Sequence, residues 1–449
     1  MNLNNIHSVF FIGIGGIGMS ALARFFNERK IAVSGYDKTE TPLTQALVEE
    51  GIAVHYTDDV NLLDQQADWV IYTPAIPSDH QQFNWYKANN YNLMKRSEVL
   101  GEISKSLQTF CVAGTHGKTT VSTMLAHILR HIETGCNAFL GGISANYNVN
   151  YWSSSNPVAV IEADEYDRSF LRLFPDKAII TAMDPDHLDI YGTAEDMEAA
   201  YLQFASQIQT TLIYKHGLAR RKEFKTPNLF SYSLQNDAAD YYASNIVMKQ
   251  GTYQFDACFR GEVLAAVTLN MGGMHNVENA IAAMALCHQE GCDMALVALA
   301  VADFKGVKRR FEYVVKNDQH IYIDDYAHHP EELRMLLSSA KALFPGRKLS
   351  VVFQPHLFTR TRDFADGFAE SLDIADEVFL LPIYPARELP IPDVNSEMIL
   401  HRMAIPNKQV LSKESVLQWV EAAQPALFIT AGAGDIDTLI NPIKERLTH

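Results

Sequence analysis

Two glycine-rich stretches carry the residues best suited to hold phosphate. In "FIGIGGIGMSALA" (11–23), Gly13, Gly15 and Gly18 form a G-x-G-x-x-G spacing, with Gly16 between them. Such a loop lets backbone approach a pyrophosphate held at a helix N-terminus. Asp37 lies about 20 residues further on, where an acid can accept hydrogen bonds from ribose hydroxyls. A nicotinamide dinucleotide would satisfy the pattern; so would any nucleotide with a pyrophosphate, a UDP-sugar included. Glycines that merely permit tight helix–strand packing are the plainer alternative. The second stretch, "VAGTHGKTT" (112–120), reads as a shortened phosphate loop. Gly114, Thr115, His116 and Gly117 form the turn, Lys118 brings a point charge, Thr119 offers a hydroxyl to Mg²⁺, and Thr120 follows. Val112 stands where the usual spacing has glycine.

Further candidates sit just after apolar runs. "VIEADEYDRSF" holds Glu162, Asp164, Glu165 and Asp167, oxygen donors of the kind Mg²⁺ takes, although a solvated acidic loop would look the same. "DPDHLD" (184–189) places His187 in a similar position. "HNVEN" gives His275, Asn276 and Asn279 at a helix start, for adenine recognition or for capping. "KRRF" puts Arg309 and Arg310 at a domain junction, suited to an arginine that reaches phosphate on closure. "DDYAHHPEEL" and "QPHLFTRTRDF" gather Asp325, His328, His329, His356, Arg360 and Arg362, a set suited to an anionic or zwitterionic substrate.

These residues need parallel sheets behind them. Strand, loop and helix patterns alternate through the chain: strands at Val9–Ile14 and "IAVSGYD", with a helix from Met19 to Glu28 between them. "WVIYTPAIP" follows, and then, after 105, "QTFCVAG", "PVAVIEADE" and "KAIITAM". A β-rich stretch covers 210–270 and a helix 276–291. The last part has strands within 319–327, 348–355, 377–384 and 426–434. Alternation of this kind predicts an α/β chain with helices on parallel sheets. Three domains are expected, 1–105, 106–313 and 314–449: a Rossmann-like domain, a P-loop ATPase-type α/β domain and a second Rossmann-like domain.

Composition narrows the partners. The 449 residues are 47% apolar and 20% charged, with 53 acidic against 37 basic side chains and a net charge of −16. That balance argues against nucleic acid as a ligand, while a few local cations can still hold a small anion. Five cysteines without a C-x-x-C pair indicate neither a disulfide framework nor a zinc site, and point to a reducing cytoplasm. The N-terminal segment reads as a first strand rather than a signal peptide, and no apolar run suggests a membrane span.

Taken in order, "GIGGIGMSALA", "GTHGKTT", "EADEYDRSF", "DHLD", "GMHNVEN", "KGVKRRFE", "DDYAHHPEE" and "FQPHLFTRTRDF" resemble the Mur ligase family of peptidoglycan synthesis. The resemblance spans nearly the whole chain. It implies an ATP-dependent ligase that joins L-alanine to UDP-N-acetylmuramate through an acyl phosphate, with Mg²⁺ or Mn²⁺ as cofactor. A ligase recycling whole tripeptides is the alternative. By the same resemblance Gly13, Gly15, Gly16, Gly18, Asp37, Thr73 and Ser97 surround the UDP-sugar. The loop Gly114–Thr120 with Asn276, Asn279, Arg310 and Asp325 serves ATP, and Thr119, Glu162 and His187 hold metal. Lys118, Glu162, His187 and Arg310 carry the chemistry, and Tyr326, His328, His329, His356 and Arg360 form the amino-acid pocket. Family members for later amino acids have a carbamylated lysine past the metal histidine, whereas Leu188 to Tyr214 contains no lysine. That absence favours the alanine or tripeptide step, and the first glycine loop favours alanine. Leu357 stands where many members have arginine. A monomer or weak homodimer is expected.

Overall fold

The computed structural model describes residues 5–73, 76–185, 188–249, 251–386 and 388–448, without the side chains of 188 and 189. Two compact units form: Met1–Ser244 with Asp256–Ala265 and Glu278–Val301, and Asn245–Phe255 with Ala266–Val277 and Ala302–His449.

The first sheet comprises β1 (Ser8–Ile12), β2 (Ala32–Tyr36), β3 (Ala53–His55), β4 (Trp69–Tyr72) and β5 (Leu93–Lys95), in the order β3-β2-β1-β4-β5. All its pairings are parallel. β1, "SVFFI", is buried throughout, as a central parallel strand covered on both faces must be. Its neighbours β2 and β4 lead away in opposite directions, so the crevice for a ligand opens beyond its carboxyl end, where Gly13 begins the loop.

A ten-stranded sheet follows, with β6 (Gln108–Ala113), β7 (Asn137–Phe139), β8 (Tyr151–Trp152), β9 (Val158–Glu162), β10 (Lys177–Ile180) and β11 (Thr211–Lys215). Next come β12 (Asn228–Ser233), β13 (Tyr241–Lys249), β14 (Thr252–Phe259) and β15 (Glu262–Leu269). The order is β15-β14-β13-β12-β11-β10-β6-β9-β7-β8. β6 lies between β10 and β9 and pairs parallel with both. The switch in strand order thus falls at the strand that feeds the phosphate loop.

Near residue 105 the helix Arg96–Ser106 ends and β6 starts. The two sheets share one apolar core in the first unit, where Phe25 of the helix Ile17–Glu28 meets Phe139 at 5.4 Å and Tyr151 at 6.3 Å between ring centroids. Buried Arg24 of the same helix binds Glu50 with Nε–Oε2 at 2.8 Å and also reaches Asn150. The Asn150 amide in turn donates to Ile17 O. A buried guanidinium satisfied by a carboxylate and an amide locks the glycine-loop helix against the second sheet.

The second unit is built on β16 (Glu312–Lys316), β17 (Ile321–Asp325), β18 (Leu349–Phe353), β19 (Glu377–Leu380), β20 (Lys408–Val410) and β21 (Leu427–Ala431), ordered β16-β17-β21-β18-β19-β20. The fold is α/β, as the alternation predicts. β16 and β20 are additions to the predicted strands. β16 pairs antiparallel at the sheet edge and spans position 313, the expected domain boundary. Its half-buried, mixed residues lack the apolar run that marks its neighbours. Among the described residues no helix is long and apolar enough to cross a membrane, and all five cysteines are free thiols.

Candidate active site

The first glycine loop is held by the end of β2, the strand beside β1 in the sheet. Gly13 and Ile14 N–H groups donate to Tyr36 O at 2.8 and 3.0 Å, and Gly15 N–H donates to Asp37 Oδ2 at 2.7 Å. Asp37 Oδ1 also accepts from Thr39 N–H. The acid expected to meet ribose therefore also braces the loop. Thr73 packs its methyl against Gly13, and Gly16 starts the helix Ile17–Glu28 with no side-chain cap. The N–H groups of that first turn are thus left for a ligand. Ser97 is half-buried in the first turn of Arg96–Ser106. Arg96, not singled out from sequence, lays its guanidinium over Gly18 and pairs with Asp164 at 3.3 Å.

The phosphate loop is built by β6 and the helix Lys118–His131. Gly117 caps that helix in the left-handed region (φ +82°), and Gly114 at φ +133° lies against Thr181 where no Cβ would fit. Thr115 N–H donates to Ala182 O, and the Thr115 hydroxyl accepts from Asp184 N–H. Lys118 Nζ donates to Gly114 O at 2.7 Å and to Glu165 Oε1 at 2.8 Å. Thr119 Oγ1 donates to Glu162 Oε1 at 2.9 Å, while Gly141 N–H donates to Glu162 Oε2 at 2.9 Å. Burial pushes the Glu162 and Glu165 carboxyls above their ordinary range, and Lys118 pulls both back. Thr120 is buried under the loop and His116 is exposed near Asp184. The Asn279 amide oxygen sits against Gly117.

A cavity of about 170 Å³ in the first unit is lined by Gly18 and Arg96 together with Gly141, Glu162 and Asp164. Gly18 of the first glycine loop thus shares a chamber with Glu162, whose carboxylate accepts from Thr119 of the second. His187 lies outside the described residues. Among the described residues no three His, Cys, Asp or Glu side chains gather as a metal site. Thr119 and Glu162 meet as oxygen donors, and the Asp164 carboxylate shares the cavity with Glu162.

In the second unit the predicted residues cluster beyond the carboxyl ends of β17 and β18. Asp325 accepts N–H groups of Phe311 (2.6 Å) and Ala327 (2.7 Å), so it shapes the loop that presents Arg310. Arg309 and Arg310 lie 5.3 and 5.4 Å from the Tyr326 ring centroid. Tyr326 contacts His328, and the His328 ring lies 6.3 Å from that of His356, which stacks on Tyr384. Desolvation lowers the His328 pKa, and the nearby cations Arg360 and Arg310 push the same way against Glu332. His329 instead packs on Phe364 at the start of the helix Pro330–Leu343. Leu357 takes φ +69° ahead of the helix Phe358–Asp363, which carries Arg360. Asn276 is buried, its amide donating to Gly272 O, an arrangement that serves the helix start.

Arg309, set beside Arg310 in the sequence, has a different task. Its Nε binds Asp324 Oδ2 at 3.0 Å and its Nη2 donates to Gly432 O, tying β17 to β21. Burial pushes the Asp324 carboxyl up to about 7, with Arg309 opposing. Between about pH 4 and 7 the folded chain then keeps a proton that the unfolded chain releases, so the stability owed to this group falls as pH rises. Asp324→Asn should remove a slope of up to about 1.4 kcal/mol per pH unit from urea unfolding of the chain across that window. An unchanged slope would show that Asp324 stays ionised.

The chain matches three family models in series: the Mur ligase family catalytic domain over residues 8–107, the Mur ligase middle domain over 112–287, and the Mur ligase glutamate ligase domain over 309–436. It is 46% identical over 456 aligned residues, covering 100% of both chains, to a UDP-N-acetylmuramate–L-alanine ligase of Flavobacterium johnsoniae. A ligase of the same name from Porphyromonas gingivalis is 46% identical over 98% of each chain. Among solved structures, the UDP-N-acetylmuramate–alanine ligase MurC of Thermotoga maritima superposes with a TM-score of 0.85 at 28% identity, over 98% of this chain and 99% of that one. A murein peptide ligase from Psychrobacter arcticus shares the fold, with a TM-score of 0.70 at 21% identity over 98% of each chain. With family models in series from residue 8 to 436 and full-length relatives at this identity, the chain belongs to the Mur ligase family.

Proposed function

We propose that this chain is a UDP-N-acetylmuramate–L-alanine ligase of peptidoglycan synthesis, working in the cytoplasm with ATP as co-substrate. The observation that carries the reading is the cavity that brings Gly18 and Arg96 together with Glu162, the partner of Thr119 in the phosphate loop. A UDP-sugar anchored by its pyrophosphate at the first loop can extend its carboxylate toward the γ-phosphate of ATP at the second. The full-length likeness to relatives named for L-alanine supplies the amino acid. Segment 1–105 holds the UDP-sugar and 106–313 holds ATP. Segment 314–449 takes the amino acid, with Tyr326, His328, His356 and Arg360 around it.

A carboxylate resists attack by an amine because its negative charge is delocalised. Transfer of the γ-phosphoryl group from ATP to a carboxylate oxygen releases ADP and makes the carbonyl carbon electrophilic. The neutral amine of L-alanine then adds to that carbon, and the tetrahedral adduct expels phosphate and loses a proton to leave the amide. Lys118 holds the transferring phosphate oxygens as a point charge, and Gly114 and Gly117 shape the loop whose N–H groups face them. Thr119 and Glu162 offer the hard oxygen donors that Mg²⁺ or Mn²⁺ prefers, and the family resemblance adds His187 to that set. When bound, the metal neutralises phosphate charge.

Release of ADP by the purified chain, measured with UDP-N-acetylmuramate and each amino acid in turn, tests this reading. Turnover that requires UDP-N-acetylmuramate and is fastest with L-alanine is expected. Silence with every single amino acid, together with activity on a tripeptide, would replace it by the recycling reaction.

A further inference from the structure

We infer that Glu165 is a positioning residue for the phosphate-loop lysine, holding Lys118 Nζ at the point from which it meets the nucleotide. The inference rests on the ATP site proposed above and names a residue that the sequence left as one acid among four. Lys118 is nearly enclosed, its side chain 14% exposed, and Glu165 is 1% exposed. An ammonium has three N–H donors. Gly114 O takes one and Glu165 Oε1 another, which leaves one for phosphate.

The backbone around Glu165 is arranged for this contact at some cost. Asp167 (φ 54°, ψ 24°) and Arg168 (φ 55°, ψ 27°) are consecutive non-glycine residues in the left-handed region. Strain of this kind persists only where the surroundings over-determine it. Here the Tyr191 hydroxyl and Arg168 N–H both donate to Glu165 O, at 2.6 and 2.9 Å, and Phe170 N–H donates to Asp164 O. The turn throws the Glu165 carboxylate back under the lysine. Its second oxygen, Oε2, is buried with no hydrogen-bond partner among the described residues. A pair built for stability alone would not leave a carboxylate oxygen buried and unsatisfied.

Two consequences separate positioning from simple support. Glu165→Gln keeps the side-chain shape but removes the charge that cancels Lys118, so the nucleotide phosphates meet a more positive loop. The dissociation constant for ADP with Mg²⁺, read by calorimetry, should stay equal or fall. Turnover should nevertheless drop by about 10²-fold, because the charge-assisted bond that fixes Nζ becomes a weaker bond to a neutral amide and small misplacements cost that much. The KM for ATP should not rise.

Loss of nucleotide affinity in step with kcat, or no loss of kcat, would overturn the inference. Should the glutamine variant fail to fold, Glu165→Asp keeps the charge and withdraws it by one methylene; it should bind ADP normally and turn over slowly, and weakened ADP binding overturns the inference equally. Calorimetry needs no turnover, so it tests Glu165 whichever acceptor the enzyme uses. Wild-type dependence on UDP-N-acetylmuramate and L-alanine, measured alongside, tests the ligase reading by itself.

Discussion

Lys118→Ala is expected to cut ATP-dependent turnover by on the order of 10³-fold, the scale for a preorganised charge at a transition state. Binding of UDP-N-acetylmuramate should survive. The lysine touches Gly114 and Glu165, whereas the first cradle is held by Tyr36 O and the Asp37 carboxylate. The substitution also strands Glu165, which is almost wholly buried, as an uncompensated carboxylate. Breaking a buried pair from one side costs roughly 3–5 kcal/mol, so the single variant should melt earlier than wild type. Adding Glu165→Gln removes the stranded charge, and the double variant should recover much of that stability while staying inactive. Joint loss of ATP and UDP-sugar binding in a folded Lys118→Ala protein would contradict two separate cradles.

Glu162→Gln should lower kcat by roughly 10²-fold, and saturating metal should recover part of the loss. The Glu162 carboxylate accepts from Thr119 Oγ1 through one oxygen and from Gly141 N–H through the other. A glutamine has one acceptor oxygen, so its NH₂ must face one of those two donors. The Thr119 hydroxyl can turn to accept from that NH₂, which keeps the link to Gly141, so the loss falls on the metal charge balance. Titration of Mn²⁺ by electron paramagnetic resonance, with ADP present, should show weaker binding without any turnover. Unchanged Mn²⁺ affinity beside a fallen kcat would make Glu162 a brace for Thr119 rather than a ligand.

The two glycine loops were legible because phosphate cradles are local objects: a buried strand, a few residues with little side chain, and a helix start, all within about a dozen positions. The same holds for the apolar parallel strands β1, β6, β9, β18 and β21, whose near-continuous burial demands uninterrupted hydrophobic sequence. Edge strands escape that rule. β16 has only one fully buried residue, and nothing in "EYVVK" reveals that it runs against β17.

Division of labour among neighbours was hidden for a different reason. Arg309 and Arg310 are adjacent and alike, yet one is spent on Asp324 and Gly432 while the other is set beside Tyr326. Glu162 and Glu165 are three residues apart in one acidic run, yet one meets Thr119 and the other Lys118. Short-range patterns suffice to say where phosphate can be cradled, since the helix start and its glycines lie together in the chain. Which carboxylate meets which cation is decided by contacts across the fold, 43 residues for Thr119–Glu162 and 47 for Lys118–Glu165. Only strand order and a left-handed turn at Asp167 and Arg168 bring those partners within hydrogen-bonding reach.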